Sequence, residues 1–500
     1  MKHLPRALLM GAAALLTTTT LTATAGAAPG LPGLDGIDLP GLDRLRPPAA
    51  APAGADEADP DAGAAAPAPK QADPGQAGPF DQAPGSDTGS AAIPGASGSS
   101  DPADPFYTDI PASLGAPGTV LKTRPAQHLL QKAGLDWPGT ATKMMYTSTR
   151  QTGEPAGVTG VVIEPTVEWR GKGSRPTVVL APGTMGQGDQ CAPSTGYGIF
   201  ANIDPAIPSM GVNYELLNAY AASSQGMRVV ITDYIGLGTP GVHTYVNSED
   251  EGHAVLDAAR AGLALAGADP TDPVALLGYS QGGGAAAAAA ERAGSYAPEL
   301  NLKGTYAGAP PANLRKVLER IDGNMIVGAI GYALNSGLEY FPDEERAEEV
   351  LDRILNEEGR RFLETTRSQC IVDSVAMWGT RYTSTFTQDG ADFKEVLEQE
   401  PTIAAIIDAQ QLGRRTPNAH ITLATGINDD AIPTGQVKEL AQAYCGRGAN
   451  VAFVEDDTPT ILERTGANHV APMLRGLPGS IRYLMDAFNG EELADDCGTF

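Results

Sequence analysis

The 500-residue chain holds only four cysteines and six histidines, and both scarcities narrow its chemistry. No cysteine stands in a Cys-x-x-Cys pair and the histidines are widely spaced, so neither a zinc site nor any other metal or cofactor is expected. Basic side chains are also short, 34 against 60 acidic ones, giving a formal charge of -26. A nucleic acid or an anionic membrane needs a basic surface, so neither is an expected partner, and the acidity is read as a means of keeping the protein soluble. Beyond the first residues, no apolar run is long enough to span a bilayer.

What is present changes along the chain. Lys2 and Arg6 precede a short apolar run, Ala7 to Leu16, and the small residues Ala25-Gly26-Ala27 follow. This three-part layout is that of a secretory signal peptide over 1–27, and it points to an extracellular protein. Residues 28–105 are rich in Ala, Pro, Gly and Asp, with hardly an aromatic between Pro29 and Phe80. Such a segment buries too little apolar surface to offset the entropy of ordering, so it is expected to be a disordered spacer or a removable pro-segment. Globular texture begins at Phe106-Tyr107, and 106–500 is read as one catalytic domain. In an exported chain an even, sparse set of cysteines (Cys191, Cys370, Cys445, Cys497) suggests two disulfides, with three possible connectivities.

Met144 to Ser148 and Gly157 to Ile163 read as an antiparallel strand pair around the turn at Gln151 to Pro155. Short apolar runs then recur at Thr177–Leu180, Arg228–Thr232, Val274–Gly278, His420–Ala424 and Val451–Val454, alternating with helical stretches such as His253 to Ala266. Strands buried on both faces of a parallel sheet look like this, and an α/β fold with a mostly parallel sheet and helices on both faces follows. Between 311 and 417 the alternation stops. An apolar stretch, Met325 to Leu338, and a charged amphipathic one, Asp343 to Thr366, suggest an inserted, mainly helical cap.

Gly278-Tyr279-Ser280-Gln281-Gly282 gains weight from its flanks: the buried-type run Val274 to Leu277 enters it and the Ala-rich helix Gly283 to Arg292 leaves it. A sharp strand-to-helix turn strains the backbone at Ser280 and presents its hydroxyl, and side chains at Gly278 or Gly282 would collide with neighbouring elements. Serine needs a histidine to take its proton, and the histidine needs a carboxylate. In this kind of fold the chain order is Ser, acid, His. Asp429, in the loop after His420–Ala424, is the preferred acid, with Asp430 as a solvated neighbour or helix cap, and His469 is the base. His243, before the nucleophile, is the rival histidine. The oxyanion donors are expected to be the N–H of Gln281 and one from Pro182-Gly183-Thr184-Met185-Gly186, at Thr184 or Met185.

Taken with Cys191-Ala192-Pro193-Ser194, Asp233-Tyr234-Ile235-Gly236-Leu237-Gly238, Asp429 four residues before Pro433, and Cys445-Gly446-Arg447-Gly448-Ala449-Asn450, these motifs resemble the secretory lipases typified by fungal lipase A, α/β-hydrolases with actinobacterial members. The resemblance covers about 106–500. It implies a lipase or esterase with a helical cap over an acyl tunnel, supports Asp429 over Asp430, and implies disulfides Cys191–Cys370 and Cys445–Cys497. Many relatives carry His where this chain has Pro182. The expected function is hydrolysis of acylglycerols or related lipid esters through an acyl-enzyme on Ser280. Alternatives are a polyester or small-ester esterase, a serine peptidase on the same fold, and a non-catalytic binding protein on a hydrolase scaffold.

Overall fold

The computed structural model of the protein describes residues 104–126, 138–196, 202–204 and 209–500; the expected signal peptide, nearly all of the spacer, His3 and His128 lie outside them. A nine-stranded sheet runs through the described part. Its strands are β1 (Val120–Ala126), β2 (Gly139–Thr149), β3 (Pro155–Pro165), β4 (Thr177–Ala181), β7 (Arg228–Thr232), β8 (Pro273–Tyr279), β9 (Asn301–Gly308), β10 (Ile421–Gly426) and β11 (Val451–Asp456). The short strands β5 (Asn202–Asp204) and β6 (Ser209–Gly211) pair separately. The spatial order is β1-β2-β3-β7-β4-β8-β9-β10-β11. From β1 to the β3–β7 contact the pairs are antiparallel, and from β7 to β11 they are parallel. The α/β class expected from the alternating apolar runs is the one observed.

Every residue of β4 and β7 is buried, because helices cover both faces. On one face lie α2 (Ser248–Leu265) and α3 (Gln281–Tyr296), and on the other α1 (Glu215–Ser224) and the last helix, α12 (Ala467–Asn489). Helix α3 is nearly all small residues, and Ala285 to Ala290 are at most 1% exposed. Small side chains let it seat closely under α2, where a Cβ on Gly252 would lie 3.1 Å from backbone atoms of Ala288.

Strand β9 is the central strand that the apolar-run pattern does not show. Its sequence, Asn-Leu-Lys-Gly-Thr-Tyr-Ala-Gly, has glycines where core side chains would be. Neighbouring tyrosines fill those places: a Cβ on Gly304 would lie 2.3 Å from the Tyr483 hydroxyl, and one on Gly308 would lie 2.3 Å from the Tyr279 ring.

Between β9 and β10 seven helices replace the alternation: α4 (Leu314–Ile321), α5 (Gly328–Leu338), α6 (Glu344–Ile354), α7 (Glu357–Thr366), α8 (Ile371–Trp378), α9 (Phe393–Gln399) and α10 (Pro401–Ala409). The charged segment is two amphipathic helices, each started by a side-chain cap: Asp343 accepts the Arg346 N–H at 3.0 Å and Asn356 the Gly359 N–H at 2.9 Å. Phe362, Trp378 and Phe386 close the interior of this cap, with the two Phe rings stacked 4.4 Å apart. Disulfide Cys191–Cys370 ties the cap to the loop after β4, and Cys445–Cys497 joins α11 (Thr434–Gly446) to the C-terminal segment.

Candidate active site

Ser280 stands between the last residue of β8 and the first of α3 with φ 60° and ψ -127°, a region non-glycine residues rarely occupy. The surroundings hold it there: its N–H donates to Gly308 O at 2.9 Å and its carbonyl accepts from Gly284 N at 3.0 Å. A Cβ on Gly278 would lie 2.1 Å from Gly282 O, and one on Gly282 would lie 1.9 Å from Ala181 O. Gly283 is a third such position, 2.1 Å from Gly308 O, and explains why the motif continues as three glycines.

Asp429 and His469 meet across two loops. His469 Nδ1 donates to Asp429 Oδ2 at 2.7 Å, while Asp429 Oδ1 accepts the N–H groups of Ala431 and Ile432, both at 2.8 Å. The carboxylate is thereby fixed in orientation, and the neutral imidazole is left with an unprotonated Nε2. That Nε2 is buried and has no hydrogen-bond partner among the described residues, so its bond to the Ser280 hydroxyl is not made here. In hydrolases without substrate this contact is commonly long and tightens on binding. Tyr279, next to Ser280, brings the two regions together: its hydroxyl donates to His469 O at 2.8 Å and its ring centroid is 5.2 Å from the imidazole. Burial pulls the His469 pKa down, but the charge of Asp429, its hydrogen bond and the charge of Asp430 outweigh it, leaving the pKa above the ordinary 6.5.

Asp430 is not a solvated neighbour. It is 5% exposed, and its carboxylate accepts the N–H groups of Thr465, Gly466 and His469 at 3.0, 2.9 and 3.2 Å. The capping alternative is the one observed, at long range: Asp430 holds the start of the helix that carries His469. From the cap, Arg320 donates to the Asp429 carbonyl at 2.6 Å and Asn324 to the Asp430 carbonyl at 2.8 Å.

His243 lies behind Gln281. Its Nδ1 contacts Ile235 O at 3.2 Å, its Nε2 contacts the Gln281 amide nitrogen at 3.0 Å, and burial pulls its pKa down to about 4. The ring therefore donates at Nδ1 and accepts at Nε2, and neither nitrogen bonds a carboxylate. His253 and His420 are likewise occupied, by Thr149 O and Ala494 O.

The loop after β4 is braced from several sides. Tyr234 donates to Pro182 O at 2.8 Å, Gly183 N to Glu215 Oε1 at 3.1 Å, Tyr214 to Thr184 O at 3.3 Å, and Ile371 N to Met185 O at 2.8 Å. Thr184 Oγ1 meets the Tyr245 hydroxyl at 2.7 Å. Met185 is 1% exposed, whereas Tyr245, Ser280 and Gln281 all line one apolar cavity that extends under the cap. Among the described residues the N–H groups of Thr184, Met185 and Gln281 are all untaken by a hydrogen bond. Sequence reasoning missed Tyr245, Glu215 and Glu251. The two glutamates sit at helix starts, where acidic residues ordinarily face water and the helix dipole, so nothing in their spacing marks them as buried.

Sheet order, a strained serine at the strand–helix turn and a carboxylate–imidazole pair after β10 and β11 define an α/β-hydrolase. The secretory lipase family matches over residues 204–496, more than half the chain, and this protein belongs to that family. It is 28% identical over 400 residues to a Mycobacterium tuberculosis protein named a probable inactive lipase, covering 78% of this chain and 83% of that protein. It is 27% identical over 395 residues to a secreted triacylglycerol lipase of Malassezia globosa, covering 76% and 77%. Among solved structures, Candida antarctica lipase A in its closed state superposes with a TM-score of 0.65 at 23% identity, covering 80% of this chain and 89% of that one. The rice cell wall degrading esterase of Xanthomonas oryzae gives 0.57 at 20%, covering 74% and 98%; at these identities the two structures speak to the fold alone.

Proposed function

We propose that the protein is a secreted lipase that hydrolyses acylglycerols or related lipid esters through an acyl-enzyme on Ser280, with Asp429 and His469 completing the triad. The observation that carries the lipid side of this reading is the cavity. It starts at Ser280 and Gln281 and continues between apolar cap side chains, among them Leu318, Ile330, Leu334, Leu338 and Phe393. A fatty acyl chain suits such a lining; a peptide would leave its amides without partners there.

In the proposed reaction His469 Nε2 removes the Ser280 proton as Oγ attacks the ester carbonyl. Asp429 holds the ring in the required tautomer and stabilises the imidazolium. The N–H groups of Gln281 and Thr184 receive the oxyanion, each contributing about 3 kcal/mol to the transition state. His469 then protonates the leaving alcohol, and water activated by the same imidazole releases the acid. Extracellular location is supported by the relatives named as secreted and by the two disulfides. One relative is named a probable inactive lipase. Against the same fate here stand the Asp429–His469 hydrogen bond and the strained Ser280 in one structure.

A series of p-nitrophenyl esters tests the substrate class. Each buried methylene is worth up to about 0.8 kcal/mol, so kcat/KM should climb by up to about fourfold per added carbon before the cavity is filled. A preference confined to acetate would remove the lipase half of the proposal.

A further inference from the structure

Glu251, in the first turn of α2, is 2% exposed and carries an ionisable group that the acyl-transfer steps do not use. Its Oε1 accepts the Gln281 side-chain amide at 2.7 Å and the Val246 N–H at 2.8 Å. The same Gln281 nitrogen also meets His243 Nε2 at 3.0 Å, so both amide hydrogens are engaged and the side chain is locked. Val246 is held at φ 53°, where a β-branched residue is strained and stays only if neighbours over-determine it. The Glu251 bond is one such restraint. Immediately before Val246, Tyr245 is packed edge-on against Tyr332 at 5.6 Å and meets Thr184 Oγ1 at 2.7 Å.

We propose that Glu251 is a positioning residue for the oxyanion pocket, fixing Gln281 directly and Thr184 through Val246 and Tyr245, so that one buried carboxyl group sets both donors. The proposal rests on acyl transfer at Ser280. Burial, with the Asp250 charge beside it, pushes the Glu251 pKa up to about 8 against the hydrogen bonds from Gln281 and Val246. A carboxyl group that is mostly protonated at neutral pH adds little charge opposing an oxyanion, and glutamine is then its close replacement.

The test compares Glu251→Ala, Glu251→Gln and Gln281→Ala with the native enzyme on p-nitrophenyl butyrate, with active sites counted by end-point fluorophosphonate titration. Misaligned donors weaken the transition state more than the bound ester. Glu251→Ala should therefore lower kcat per titrated site about tenfold or more with KM within about twofold. Glu251→Gln should recover most of that loss. Gln281→Ala keeps the backbone N–H but frees it from Glu251, and should show a kcat loss of the same kind even if Glu251→Ala does not fold. A merely structural Glu251 would lower the melting temperature and leave kcat per titrated site at the native value; that result, or a Glu251→Gln variant as impaired as Glu251→Ala, overturns the proposal. Ser280→Ala tests the acyl-transfer reading separately, because it removes turnover whether or not Glu251 positions anything.

Discussion

Asp429 and Asp430 are adjacent carboxylates with separate tasks, and the separation comes from which atoms each can reach. Asp429 bonds the imidazole and Asp430 the backbone at the start of its helix. The sequence favours Asp429 as the acid, but the N–H groups that Asp430 reaches lie 35 or more residues further on and leave no mark in the local pattern. In its proposed role as base the imidazole must be neutral, and its pKa is raised above 6.5, so kcat/KM should fall as pH drops through a midpoint above that value. Removing the Asp430 charge takes away one of the raising influences, while the single Asn oxygen can still accept from Thr465 and Gly466. Asp430→Asn should accordingly move the acid limb of the profile to lower pH. A pH–rate profile with an unmoved midpoint would show that Asp430 does not act on His469.

At the scale of elements, the strand–turn–helix around Ser280 was the most legible part, since a buried apolar run, a serine between glycines and an Ala-rich helix lie consecutively in the chain. The close approach that demands those glycines is severe enough to give a prediction. With a Cβ 1.9 Å from Ala181 O, Gly282→Ala must push α3 away from β4, and a displacement near 1 Å at Ser280 costs about 100-fold in kcat. Activity within a few-fold of native, measured on the purified variant, would refute that geometry. Strand β9 was illegible for a matching reason. Its glycines are covered by Tyr279 and Tyr483, which lie far from it in sequence, so no local apolar pattern exists to read. The helical insertion was legible from the loss of alternation, whereas the grip of Arg320 and Asn324 on the acid loop depends on tertiary contacts that periodicity does not carry.

Over the whole molecule, Cys191–Cys370 spans 179 residues and connects the loop bearing Thr184 to the cap. Because Ile371 N also bonds Met185 O, the same junction is held covalently and through the backbone. Replacing both cysteines by serine should lower stability by about 2–5 kcal/mol in urea denaturation, and an unchanged midpoint at unchanged slope would contradict a stabilising role. In the proposed reaction the apolar cavity under the cap would give the acyl chain a place out of water. All of this rests on a scaffold that is proposed to deliver a nucleophilic Ser280. Intact-protein mass spectrometry after treatment with a fluorophosphonate tests it most directly. One adduct per chain, mapped to Ser280 and absent from Ser280→Ala, is the predicted result; an unlabelled native protein, or an adduct that persists in Ser280→Ala, would contradict it.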